Sequence, residues 1–97
     1  MTVPKIKTFR QYVAEARRDA AQRHNVTLAE ATRELSEHHY ECEWRDHVVR
    51  TFNDGGTIPT ALWRSFDEGL QYRVLRTPRA LRDDALTHDL RRKTVPA

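Results

Sequence analysis

Two of the three glycines in the chain stand side by side, in Asn53-Asp54-Gly55-Gly56, and this tetrad constrains the fold more than any other stretch. Glycine enters the positive-φ region without a Cβ penalty, so a helix that reaches such a pair stops there. On both sides of the tetrad apolar residues recur at helical spacing, and strand-like alternation is confined to a weak pattern near the start. The expectation is an all-α chain: a small bundle of four to five helices, with a long central second helix and an extended N-terminal arm.

Residues 1–7 form the expected arm. Thr8 with Gln11 makes a capping box, and Phe9, Tyr12, Val13, Ala16 and Ala20 then share one face, predicting a first helix over 9–23. Arg10, Arg17 and Arg18 lie off that stripe, facing water or a ligand. Thr27 with Glu30 is a second box. Leu28, Ala31, Leu35, Cys42, Val49 and Phe52 follow a period near 3.6, with Tyr40, Trp44 and Val48 as a second stripe, so the second helix is expected over 28–52. Beyond the glycines, a short helix with Pro59 in its first turn carries Ala61, Leu62 and Trp63. Ser65 with Glu68 is read as a third box, opening a helix through Leu70, Tyr72, Val74 and Leu75. Thr77-Pro78 opens the last helix, edged by Leu81, Ala85, Leu86 and Leu90, and residues 91–97 are expected to be a frayed basic tail. The whole is expected to be one domain, residues 1–97.

Composition narrows the function classes. The 38% hydrophobic and 32% charged residues make a lean core, so either the helices are amphipathic or part of the apolar face is completed by a partner, a second copy in a homodimer or a larger complex. No apolar run approaches the roughly 18 residues of a membrane span, and the first residues lack a signal-peptide h-region; the expectation is a soluble, cytoplasmic protein. One cysteine excludes an internal disulfide and every multi-cysteine zinc framework.

The stretch 36–47, S-E-H-H-Y-E-C-E-W-R-D-H, gathers three of the five histidines, the cysteine and a run of carboxylates. Helical spacing disperses this apparent active site. His38 with Cys42, His39 with Glu43 and Glu43 with His47 are i, i+4 pairs, each offering two metal ligands. His39 and His47 lie about 12 Å apart along a helix and cannot share an ion, so no metal site is assigned. Cys42 is flanked by Glu41 and Glu43, which disfavour a thiolate, and a role as a small core residue is expected instead. His39-Tyr40-Glu41 resembles the H-x-E of zinc deaminases without the later P-C-x-x-C. Gly55-Gly56 lacks the Lys-Ser or Lys-Thr of a phosphate-binding loop. No catalytic residue, metal or cofactor is therefore expected, and the protein is expected not to be an enzyme. His38, His39 and His47 among carboxylates could make the helix charge-switchable between about pH 5 and 8.

The charge pattern points elsewhere. Net charge is +4 over residues 1–26, −4 over 27–47 and +3 over 48–97, and fourteen of the seventeen cations are arginine, the planar, bidentate group suited to phosphate. Arg73, Arg76, Arg79 and Arg82 recur every third residue, followed by Arg91, Arg92 and Lys93; Lys5, Lys7, Arg10, Arg17 and Arg18 form the other basic zone. Six to ten such contacts to phosphates would give strong, salt-sensitive and largely sequence-independent binding. The alternative use of these arginines is a solvated face partly neutralised by Asp83, Asp84 and Asp89.

Ala21, Asn25, Val26, Thr27 and Ala31 resemble the middle of a helix-turn-helix, but His24 stands where that motif has an apolar residue and Leu35 falls one place late. Arm, helix and Asn-Val-Thr turn also resemble a ribbon-helix-helix regulator, whose ribbon Pro4 interrupts. Neither resemblance assigns a family.

Two functions are expected from these features. The first is a non-enzymatic accessory protein that binds nucleic acid or a nucleoprotein complex through the Arg-rich helical surfaces. The second is a small inhibitor or adaptor docking on a larger host enzyme complex through Glu34, Glu37, Tyr40, Glu41 and Trp44. Small charged helical proteins of that kind are frequent among phage and plasmid products, an analogy of size and composition.

Overall fold

A computed structural model of the chain describes residues 3–24, 27 and 37–94. The fold is all-α. Its described helices are α1 Phe9–His24, α2 Glu37–Asn53, α3 Thr60–Ser65, α4 Glu68–Leu75, α5 Pro78–Arg82 and α6 Asp84–Thr94. The expected start of α2, with the Thr27 and Glu30 box, lies outside the described residues, apart from Thr27 itself. The chain divides into two compact units: Lys7–Asp46, and Met1–Ile6 with His47–Ala97. No described helix is long and apolar enough to cross a membrane.

In the smaller unit, Lys7–Asp46, the first capping box forms as the spacing requires. The Thr8 amide donates to Gln11 Oε1 at 3.0 Å and the Gln11 amide donates to Thr8 Oγ1 at 3.2 Å, satisfying two donors around the α1 N-terminus. Val13 and Ala20 of α1 are buried with Tyr40 and Trp44 of α2. Trp44 meets the Phe9 ring edge-on at 5.5 Å, and its indole N–H donates to the Lys7 carbonyl at 2.9 Å.

The larger unit begins where α2 carries Val48 and Phe52 into its core. Tyr40, Trp44, Val48 and Phe52 thus form the buried seam of α2 at i, i+4 steps. Cys42, expected in the core, is exposed instead. Two residues advance a helix by about 200°, so a seam through Tyr40 turns Cys42 outward.

The glycine tetrad closes α2 by a Schellman motif. The Gly55 amide donates to the Phe52 carbonyl at 3.0 Å, the Gly56 amide donates to the Thr51 carbonyl at 2.9 Å, and Gly55 has φ 111°. Gly56 serves a different need. A Cβ there would lie 2.9 Å from the Thr51 carbonyl oxygen and 3.1 Å from that of Pro4. The N-terminal arm passes this point, where Lys5 makes an isolated parallel bridge with Thr57 and Ile6 is buried.

The remaining short helices bury Trp63, Leu70, Val74, Ala80 and Leu90 and are bounded by caps. Pro59 is the N-cap residue of α3, one place before the expected first turn. The cap of α4 is Asp67, whose carboxylate accepts the Leu70 amide at 2.8 Å. Ser65 ends α3 instead, its hydroxyl donating to the Leu62 carbonyl at 2.6 Å. Thr77 and Pro78 open α5 as expected, the buried Thr77 hydroxyl donating to Val74 and accepting from Ala80. The expected last helix is divided at Asp83, whose extended backbone ends α5 and whose carboxylate accepts the Leu86 amide at 3.0 Å. Of its expected apolar edge, Leu90 is buried while Leu81 and Ala85 are exposed.

Residues 91–94 continue α6 and do not form a frayed tail. Trp63 is fully buried, with its indole N–H donating to Thr94 Oγ1 at 2.8 Å, and Arg64 Nε donates to the Lys93 carbonyl at 2.9 Å. A cation on the last carbonyls of a helix also opposes its negative end. Residues 95–97 lie outside the described residues.

Candidate nucleic-acid interface

Folding redistributes the charge. The larger unit holds ten Lys and Arg against six Asp and Glu, net +4, while the smaller holds seven against eight, net −1. The acidic block and most of the first basic zone belong to one unit; Lys5 joins the second basic zone in the other. Within the smaller unit Lys7 pairs with Glu15, and Arg23 with Asp19 at 3.2 Å. Arg10 and Arg18 remain exposed. Arg17, expected to face outward, is half-buried with its guanidinium 5.8 Å from the Tyr40 ring centroid.

In the larger unit the run of four arginines spaced by three does not act as one stripe. Arg73, Arg76 and Arg82 are exposed. Arg79 turns inward: its Nη1 donates to the Phe52 carbonyl at 2.7 Å and to the Gly56 carbonyl at 2.6 Å, and its guanidinium stacks 4.6 Å from the Phe52 ring centroid. Its backbone amide donates to Asn53 Oδ1 at 3.1 Å. The α2 C-terminus and the α5 N-terminus therefore cap each other, and Arg79 is a structural residue in place of the expected phosphate ligand.

Lys5, Arg91 and Arg92 are exposed and Lys93 is half-buried. Asp89 bonds both Arg92, at 2.8 Å, and Lys93, at 3.1 Å. The Arg92 hydrogen bond first, and then that of Lys93, hold the Asp89 carboxyl below the ordinary carboxylate range. Arg50 and Arg64, absent from the expected set, are also exposed on this unit.

Tyr72 was expected to follow the apolar pattern of its helix, yet it is 62% exposed with the Arg76 guanidinium 5.7 Å from its ring centroid. The signal was present in the spacing. Leu70 and Val74 are one turn apart and both buried, and Tyr72, about 200° from Leu70, faces the other way.

The acidic and aromatic docking face changes in composition. Glu34 and the side chain of Glu37 lie outside the described residues. Glu41 is exposed, but Tyr40 and Trp44 are buried, because the α1 stripe packs on the seam they form. Tyr40 is 2% exposed, and its hydroxyl has no hydrogen-bond partner among the described residues. Burial raises its pKa above the ordinary tyrosine value, with Arg17 opposing that rise.

Tyr40 lines a cavity of about 600 Å³ in the smaller unit, together with Lys7, Arg18 and Arg23 and with Glu15, Asp19 and Glu43. Three cations face three anions there, so the cavity favours neither sign of ligand. Among the described residues no group of three or more His, Cys, Asp or Glu is placed to hold a metal ion. His39 instead contacts Glu43 at 3.3 Å, and His47 Nδ1 contacts the Thr51 hydroxyl at 3.2 Å.

Comparison of the chain with protein-family models, with curated proteins and with solved structures gives no match.

Proposed function

We propose that this protein is a non-enzymatic, cytoplasmic accessory protein that binds nucleic acid, free or within a nucleoprotein complex, through the arginines of its larger unit. The observation that supports this most is the concentration of charge in that unit, net +4, with Arg73, Arg76 and Arg82 exposed on the short helices α4 and α5, whose ends are fixed by side-chain and backbone caps, and Arg91 exposed on α6. Arginines held on such a scaffold meet phosphates with little of their backbone left to order, and counterion release supplies the binding free energy.

A gel-shift titration across salt tests the reading. Binding to duplex or single-stranded oligonucleotides is expected at about 50 mM salt and should weaken steeply toward about 200 mM; absence of binding to both at the lower salt refutes it. The second reading, an inhibitor or adaptor docking through the acidic face of α2, retains Glu41 but has its aromatic anchors in the core. Loss of partner capture on Glu41→Lys, with nucleic-acid binding absent, would favour it.

A further inference from the structure

We infer that Tyr72, flanked by Arg73 and Arg76, is a base-stacking platform that makes the larger unit a binder of single-stranded nucleic acid. This rests on the nucleic-acid reading above and narrows it. The three side chains share the solvent face of α4, with Arg76 at its C-cap and one turn from Tyr72. Of the two residues one turn earlier on this face, Gly69 adds no side chain and Glu68 is exposed.

An aromatic ring 62% exposed beside a guanidinium 5.7 Å from its centroid offers what an unpaired base and its phosphate need together. The ring supplies a π-face, and the arginines supply bidentate phosphate donors and a cation that itself stacks. A duplex keeps its bases stacked on each other and cannot use the ring, so this arrangement discriminates between strand states where arginine alone would not. Stacking tolerates any base, so strand preference is expected without sequence readout.

The test is fluorescence anisotropy with a labelled oligothymidine and a labelled hairpin duplex, at low salt, on the full chain. Tyr72→Ala should weaken binding to oligothymidine by about 5- to 100-fold and leave duplex binding within about twofold. Tyr72→Phe should retain the single-strand affinity, because the ring and not the hydroxyl stacks. Arg73→Ala with Arg76→Ala should lower the magnitude of the salt slope on oligothymidine by about 1 to 1.5. Wild-type affinity of Tyr72→Ala for oligothymidine overturns the stacking platform and leaves the wider reading standing, as does an equal loss on both probes with an unchanged melting curve. Binding of the wild-type protein to neither probe overturns both.

Discussion

Arg79 and Arg73 are six residues apart in the same arginine run, and they belong to two different kinds of region. Around Arg79 the larger unit is a meeting of helix ends: Phe52 and Gly56 carbonyls, the Asn53 side chain and the α5 N-terminus satisfy one another within 3.1 Å. Around Arg73 the same unit presents a helix face to solvent. One arginine neutralises backbone dipoles inside the protein, and the other stands exposed at its surface. Identical residues at regular spacing are therefore poor guides to a shared role, because the carbonyls that recruit Arg79 are brought to it by contacts more than twenty residues away in the chain.

The contrast between these regions can be tested from both sides. The largest effect is expected from Arg73→Glu, Arg76→Glu and Arg82→Glu combined, which should weaken nucleic-acid binding by roughly 100-fold or more while leaving the urea midpoint near that of the wild type. Arg79→Ala should do the reverse. It leaves the Phe52 and Gly56 carbonyls short of a donor, and a loss of about 2–3 kcal/mol in urea unfolding is expected. Arg79→Lys should restore only part, since an ammonium cannot stack on Phe52 as the planar group does; full recovery would show that charge alone matters there.

Gly56→Ala comes next, at roughly 1–3 kcal/mol, because two of the three atoms it would crowd are backbone oxygens of α2 and of the arm, the third being Cγ1 of the buried Ile6.

In the smaller unit Tyr40→Phe removes a buried hydroxyl that has no partner among the described residues and should raise stability by up to about 1 kcal/mol. The pKa of Tyr40 is raised in the folded protein, so the unfolded chain releases this proton first. The wild type loses stability as pH climbs above about 10, and Tyr40→Phe should lose less. Equal alkaline sensitivity of the two proteins would contradict this.

The smallest effect is that of Asp89→Asn. The Asp89 carboxyl is depressed by Arg92 and Lys93, so its contribution is present above the unfolded carboxylate pKa and is lost as pH falls through the folded one. A thermal-melt difference between variant and wild type should therefore exist at neutral pH and vanish in strong acid.

What could be read from the sequence was what is local. The Thr8 and Gln11 box, the Thr77-Pro78 start and the stop at Gly55 each depend on residues within a few positions of one another. Ser65 with Glu68 satisfied the same pattern and misled, because Asp67 stands at the same distance from Leu70 and a carboxylate is the stronger acceptor for a helix N-terminus. The break at Asp83 was hidden inside a plausible helical period. The choice between the Cys42 and Tyr40 stripes turned on which face α1 packs against, which periodicity within α2 alone does not decide. The charge of the candidate interface was least legible of all: Lys5 and Arg73 belong to one unit, and the acidic block to another, only after the arm has returned to Thr57.

The two glycines carry a consequence for how this chain can vary in evolution. Gly55 needs a left-handed backbone but has nothing within 4 Å of the position its Cβ would occupy, whereas Gly56 is crowded by two carbonyl oxygens. Asparagine enters the left-handed region more readily than other side chains, although at φ 111° it too is strained, and no side chain meets the second. Drift at this site should thus be one-sided, passing through Asn-Gly and never through Gly-Asn, so that a pair of letters identical in the sequence records one conformational requirement and one spatial one.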